Sequence, residues 1–116
     1  MLIGAVAALI GVGFGAFGAH GLRARTSPDM LAVFETGVRY QLYHAFAILI
    51  TALALARLDG PLIRSAGWLF TAGIVLFSGS LYGIVLTGTT GLGAITPIGG
   101  LLFLAGWACL VVAAIV

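Results

Sequence analysis

The chain has 116 residues, of which 62% are hydrophobic and 7% are charged, and its formal net charge is +2. A soluble domain carries about 25% charged residues, so a water-facing surface is excluded and the composition predicts a protein of the lipid bilayer. Because the chain has no basic or aromatic-basic face of the kind that binds phosphates, we expect no nucleic-acid partner.

The first predicted membrane span runs from Leu2 to Gly21. About 20 consecutive apolar residues are enough to cross a bilayer as a helix. Ala16 and Gly18 would make a passable signal-peptide cleavage site, but no Lys or Arg precedes the apolar run. A signal peptide has a positive segment at that place. We therefore expect the first span to be retained.

The segment between the first two spans has the signals of a helix start. Ser27 is suited to cap a helix and Pro28 to occupy its first position. Apolar and acidic side chains then fall on different faces, which predicts a short amphipathic helix in the membrane interface. Gly37 is expected to mark the bend into the second span. Glu35 and Arg39 are four residues apart, so they can form an ion pair if the helix continues.

Three further spans are predicted, over Val38–Ala56, Ser65–Leu86 and Pro97–Val116. Lipid offers no partner for unpaired backbone groups, so each span is expected to be a helix. Short connections make neighbouring helices antiparallel. The predicted fold is thus an all-α membrane protein, a four-transmembrane-helix up-down bundle that forms a single domain over residues 1–116.

The arginines give a weak indication of orientation. Three lie in or beside the first connection, Arg23, Arg25 and Arg39, and two lie in the second, Arg57 and Arg64. Basic residues are enriched in cytoplasmic loops. The first connection is therefore expected in the cytoplasm.

The up-down topology gathers most intramembrane polar side chains in one half of the membrane. Tyr40 and His44 are four residues apart and share a helix face, as do Ser78 and Tyr82. We expect His44 to contact His20 or the face formed by Ser78 and Tyr82. The candidate polar cluster or ligand site comprises His20, Arg39, Tyr40, Gln41, His44, Ser78, Ser80, Tyr82 and Thr96. Such groups are either hydrogen-bonded contacts between helices or a functional pocket, and both interpretations remain open.

Small and aromatic residues provide two further indications. Small residues let membrane helices approach closely, and the candidate packing positions are Gly11, Gly15, Gly18, Gly79 and Gly83. Trp68 and Trp107 are candidates for the belt of aromatic side chains at the membrane interface.

Several blocks of the chain, in order, carry a family resemblance. The blocks GAFGAHGL, TGVRYQLYHA, FSGSLY, LTG and TPIGG resemble the signature blocks of the domain of unknown function 423 family, which includes YgdD-like and YwdK-like proteins and transmembrane protein 256. The resemblance covers nearly the entire chain and implies a four-span integral membrane protein without an agreed biochemical activity. The matching motif positions are His20, Arg39, Tyr40, Gln41, His44, Ser78, Gly79, Ser80, Tyr82, Thr96 and Pro97. We expect the protein in the plasma (inner) membrane of a bacterium.

Four functions are compatible with the sequence. The first is an accessory or structural subunit, a scaffold that packs by its small-residue helix faces as a homo-oligomer or within a larger membrane complex. The second is a binder or carrier of a small hydrophobic molecule, a lipid or a quinone, at the polar pocket. The third is haem ligation by His20 and His44, and the fourth is proton transport through His44, Glu35 and Arg39.

The sequence favours none of the usual catalytic arrangements. Ser78 and Ser80 have no base and acid in a recognisable pattern, and no Cys, His and Asp set has the spacing of a zinc site. We therefore expect no enzymatic activity, no metal and no cofactor.

Overall fold

A computed structural model describes residues 1–116 as four helices, each long and apolar enough to cross a membrane, with no strand. They are α1 (Leu2–Leu22), α2 (Pro28–Leu55), α3 (Pro61–Thr87) and α4 (Thr96–Ile115). A short 3₁₀ helix, Thr90–Ala94, connects α3 to α4. At 1.5 Å per residue α1 is about 30 Å long, which matches the hydrocarbon core of a bilayer. The prediction of an all-α, four-span protein is confirmed.

Helix α2 begins where its cap residues predict. The Met30 N–H donates to Ser27 Oγ at 3.2 Å, and Pro28 is the first helical residue. The helix then continues without a break through Gly37, so the separate interfacial helix and its bend are wrong. Gly37 serves close packing instead, because a Cβ there would lie 2.8 Å from Cε1 of Tyr82. The amphipathic segment is therefore the first part of α2.

Helix α2 lies at the centre of the molecule, between α1 and α3, and α4 packs mainly along α3. Gly4 of α1 meets Leu49 whereas Gly18 meets Phe34, so α1 and α2 are antiparallel. The buried side chains form two clusters, one of Leu22, Phe34, Val38 and Tyr82 and one of Ala47, Ile48, Ala66, Phe70 and Phe103. The Cα atoms extend over 48 × 26 × 17 Å, so the bundle is flattened.

Three of the predicted packing glycines line α1 where it meets α2: Gly11, Gly15 and Gly18. A Cβ at Gly11 would lie 2.8 Å from Cδ2 of Leu42, so α1 depends on the missing side chain to approach α2. Gly83 is also tightly packed, but against Leu92 of the 3₁₀ helix rather than against a span. The prediction for Gly79 is wrong, since it is exposed and a Cβ there would meet no atom within 4 Å.

Aromatic rings and glycines interlock along the contact between α3 and α4. Phe70 lies against Gly106, Phe103 against Gly73, and Phe77 against Gly99. A Cβ at Gly99 would lie 2.7 Å from Cβ and 2.8 Å from Cα of Phe77, which is an overlap with the backbone of α3. These rings fill space that only glycine leaves free, so the two helices have one well-defined register.

Candidate functional site

The predicted polar side chains do not form one cluster but separate hydrogen-bonded groups. The first group joins three helices: Tyr82 Oη donates to Gln41 Oε1 at 2.7 Å, and Gln41 Nε2 donates to the Ala7 carbonyl at 2.8 Å. Gln41 is 3% exposed and Tyr82 is 8% exposed, so lipid and water are largely excluded. Both ends of the Gln41 amide are thus used in holding α1, α2 and α3 together.

Ser78 forms a second link between α3 and α2. It is fully buried, and its hydroxyl donates to the Gly37 carbonyl at 2.7 Å. It is the last residue of a π-helical turn, Ile74–Ser78, that interrupts α3. Such turns are frequent at functional sites, but here the hydroxyl is satisfied by backbone. Ser78 and Tyr82 face the same helix, as their spacing predicts.

Ser80 points towards α4 rather than α2. Its hydroxyl donates to the Phe77 carbonyl at 2.8 Å and lies 2.7 Å from Thr96 Oγ1. A hydroxyl has one proton to donate, so Thr96 is the donor in the second hydrogen bond. The two serines of the FSGS block therefore attach α3 to two different neighbours.

His44 is enclosed by aromatic rings and has both nitrogens in hydrogen bonds. Its ring is parallel to that of Phe103, with centroids 3.5 Å apart and an interplanar angle of 4°. Nδ1 lies 2.7 Å from the Tyr40 carbonyl, and Nε2 accepts from Trp107 Nε1 at 3.2 Å. A carbonyl only accepts and an indole N–H only donates, so the neutral tautomer with its proton on Nδ1 satisfies both contacts.

The expected contact between His44 and His20, or between His44 and the Ser78 and Tyr82 face, is wrong. His44 lies on the side of α2 that faces α4, and Gln41 takes the side that faces α1 and α3. His20 is exposed in a π-helical turn at the end of α1, where its Nδ1 lies 3.0 Å from the Ala16 carbonyl. The two imidazoles make no contact, so the arrangement does not fit two axial ligands of one haem.

Two predicted residues lie at the surface of the bundle. Arg39 is exposed, and its Nη2 donates to Thr36 Oγ1 at 3.2 Å. The helix does continue through Glu35 and Arg39, but the two side chains form no ion pair, since the only salt bridge in the chain joins Arg64 to Asp59. Tyr40 is 40% exposed and contacts the ring of Phe77 with centroids 4.7 Å apart. Arg39 is thus not part of an internal polar site.

Sequence reasoning missed the aromatic partners of His44, which are Phe70, Phe103 and Trp107. Trp107, a candidate for the interfacial belt, lies instead near the middle of α4 and hydrogen-bonds inward. Its position in the middle of a predicted span already argues against an interfacial role, since aromatic belts lie at the two ends of spans.

Two grooves lie between non-adjacent helices. The first, which we call the aliphatic groove, has a volume of about 360 Å³ between α1 and α3 and is lined mainly by Leu2, Ile3, Val6, Ile10, Ile48, Ile74 and Val75. The second, which we call the aromatic groove, has a volume of about 630 Å³ between α2 and α4. Its lining includes Tyr40, His44, Phe77, Gly100, Phe103 and Trp107.

The predicted site residues therefore lie in four places. Gln41, Ser78 and Tyr82 form what we call the internal network, with the carbonyls of Ala7 and Gly37. Tyr40 and His44 line the aromatic groove, Ser80 and Thr96 connect α3 to α4, and His20 and Arg39 are exposed.

The chain is similar to membrane proteins of several bacteria. It is 48% identical to the UPF0382 membrane protein YwdK of Bacillus subtilis over 116 residues, which cover 99% of this chain and 94% of the relative. It is also 48% identical to the UPF0382 membrane protein SAB0533 of Staphylococcus aureus, with coverage of 97% and 92%. No solved structure matches the chain.

The family model described as "Protein of unknown function (DUF423)" matches residues 14–100. That range contains the whole of α2 and α3 and every member of the internal network but Ala7. It also contains Gly15 and Gly18, two of the glycines at which α1 packs against α2. The family resemblance of the sequence blocks is thereby confirmed, and the chain belongs to the DUF423 family of membrane proteins.

Proposed function

We propose that this protein is a non-catalytic accessory or structural subunit of the bacterial plasma membrane, which packs with other membrane helices. One observation carries the proposal: every buried side-chain nitrogen and oxygen has a hydrogen-bond partner within the chain. None of these buried groups is left without a partner and so available to a substrate, ligand or transported ion. Here they act as contacts between helices, each worth about 0.6 kcal/mol and at most about 1.7 kcal/mol.

The hydroxyl and imidazole contacts support the absence of catalysis. A serine nucleophile needs a base within hydrogen-bond reach. Ser78 instead donates to the Gly37 carbonyl, and Ser80 donates to the Phe77 carbonyl. Both nitrogens of His44 are occupied by Tyr40 and Trp107. No nucleophile and base are therefore paired.

The outer surface of α1 supports a packing role. Helix α1 packs along α2 and leaves most of its circumference uncovered. Leu2 is 76% exposed, Leu9 73% and Val12 63%. This exposed apolar face of α1 can contact a further membrane helix in place of lipid.

Site-specific photo-crosslinking in native membranes tests this proposal. A photoreactive residue at Leu9 or Val12 is expected to give a discrete adduct of higher mass, either a dimer of this chain or a complex with a larger membrane protein. The same residue at Leu58, in the connection between α2 and α3, is the control for non-specific reaction. Only lipid adducts and monomer at every exposed position of α1 and α4 would rule the proposal out.

A second candidate function, binding of a small hydrophobic molecule, is favoured by the aromatic groove. Its volume of about 630 Å³ lies within the range of about 300–1,000 Å³ typical of ligand sites. Native mass spectrometry of gently solubilised protein is expected to show a bound molecule of lipid-like mass. A chain that is empty after extraction from several lipid mixtures would exclude this candidate.

A further inference from the structure

We propose that the aromatic groove binds the ring of a lipid-soluble quinone. This inference rests on the second candidate function, the binding of a small hydrophobic molecule, and names the ligand class. It concerns binding alone.

The aliphatic groove and the aromatic groove differ in the chemistry of their walls. The aliphatic groove has no aromatic side chain: apart from Gln41 and Thr71 it is lined by aliphatic side chains such as Ile10, Ile74 and Val75, which suit the acyl chain of an ordinary phospholipid. The aromatic groove is lined by ring side chains, among them Phe77 and Trp107. Both grooves face the same bilayer, so the difference favours a ligand with a ring for the second.

Three rings of the aromatic groove are close to parallel, while Phe77 and Trp107 are tilted against them. The Tyr40 ring is inclined by 21° to the ring of His44 and by 25° to that of Phe103, and the last two differ by 4°. Aromatic side chains bind flat rings by offset stacking or by edge-to-face contact. His44 and Phe103 cover each other's faces and are 5% and 4% exposed, whereas Tyr40 is 40% exposed. The ring of Tyr40 is therefore the face on which a flat conjugated ring can stack, nearly parallel to the His44 and Phe103 pair.

The hydrogen-bonding groups of the groove suit a neutral carbonyl acceptor. No charged side chain lines it. His44 and Trp107 bond to each other, whereas the hydroxyl of the half-exposed Tyr40 makes no hydrogen bond within the chain. A quinone combines a flat ring, carbonyl oxygens that accept from a phenol, and an isoprenoid tail that can extend past Leu101 and Leu104 on α4.

The indole of Trp107 gives a direct readout, because it lines the groove and quinones quench tryptophan fluorescence on contact. A Trp68→Phe variant in liposomes leaves Trp107 as the sole indole, and a benzoquinone with a short alkyl tail is the probe. We expect quenching that saturates at a low quinone-to-lipid ratio. A Trp107→Phe variant, which keeps the lipid-exposed Trp68, should show only a linear collisional response.

Two pairs of variants locate the site. In the Trp68→Phe background, Gly100→Leu is expected to abolish saturable quenching, because a Cβ at position 100 lies an ordinary 3.9 Å from Phe77 and the larger side chain extends into the groove. Gly13→Leu is the matched control, since a Cβ there meets no atom within 4 Å. Tyr40→Phe should raise the half-saturating quinone ratio about 2- to 10-fold, and Tyr43→Phe should leave it unchanged.

Each outcome decides the proposal. Saturable quenching that is lost in Gly100→Leu and weakened in Tyr40→Phe supports it; if Gly100→Leu fails to fold, the tyrosine pair, which adds no atoms, remains decisive. A second outcome is linear quenching by the quinone together with strong quenching by a phosphatidylcholine with brominated acyl chains. It would overturn the proposal that the ligand is a quinone and would leave the binding of a hydrophobic chain in the groove as the function. Equal, linear responses of Trp68 and Trp107 to both probes overturn the quinone and the groove as a binding site.

Discussion

His44 illustrates how an ionisable side chain is accommodated inside a membrane bundle. Its ring stacks on Phe103, and its two nitrogens meet one acceptor and one donor. A second proton on the ring would point at the Trp107 N–H, so the surroundings are built for the neutral form. His20, by contrast, is exposed and bonded only within its own helix.

The two histidines should therefore differ in their contribution to stability. His44→Ala removes a buried ring and leaves the Tyr40 carbonyl and the Trp107 N–H without that partner, so we expect a loss of about 2–3 kcal/mol. His20→Ala should change the free energy of unfolding by less than about 0.5 kcal/mol. Unfolding of both variants in mixed detergent micelles measures the difference, and equal losses would contradict this description.

Which polar residue faces which helix was only partly predictable from the sequence. The spacing of Ser78 and Tyr82 puts them on one face, and the structure confirms it. Gln41 and His44 are separated by only about 60° around α2, so a small rotation of the helix decides which of them meets Tyr82. That rotation is set by packing between helices, because Tyr82 packs against Gly37 and Phe103 stacks on His44. No local sequence pattern specifies these contacts.

At the scale of helices, the start of α2 and the number of spans were predictable because they depend on local chemistry. Ser27 and Pro28 mark a helix start in any context, and apolar length marks a span. Glycines were less predictable, since a glycine in a membrane helix serves packing or nothing. Gly37 packs instead of bending the chain and Gly79 faces open space, whereas Gly99 packs closely against Phe77, as a small residue in a span is expected to do.

Gly99 and Gly79 provide a matched test of that contact. Gly99→Ala forces a methyl group against the backbone at Phe77, so we expect a destabilisation of about 1–3 kcal/mol. Gly79→Ala meets no neighbour and should be neutral or stabilising by up to about 1 kcal/mol through helix propensity. Thermal melting followed by circular dichroism gives both values, and a loss in Gly79→Ala as large as in Gly99→Ala would show that packing is not the cause.

For the whole molecule, the antiparallel order of four spans determines which connections share a side of the membrane. The first and third connections lie at one end of the bundle, and the second lies at the other. The arginine distribution predicts that the first connection lies in the cytoplasm. The flattened cross-section leaves grooves on the bundle, which the sequence does not indicate because they arise between helices that are not neighbours in the chain.

Cysteine labelling tests this topology. In a Cys109→Ser background, single cysteines replace Ala24, Leu58 or Thr89 in the three connections. An impermeant maleimide added to intact cells should label only position 58, and positions 24 and 89 should react after permeabilisation. Labelling of 24 and 89 from opposite sides would exclude the up-down bundle, and the reverse pattern for all three would invert the orientation.

The internal network is the feature that ties three of the four spans together, and a double-mutant cycle between Gln41 and Tyr82 measures it most directly. Gln41→Leu, Tyr82→Phe and the double variant are unfolded reversibly in mixed micelles. Because Tyr82 Oη donates to Gln41 Oε1 at 2.7 Å, we predict a coupling free energy of about 0.6–1.7 kcal/mol. Losses that add to within about 0.3 kcal/mol would contradict a structural role for the buried polar side chains.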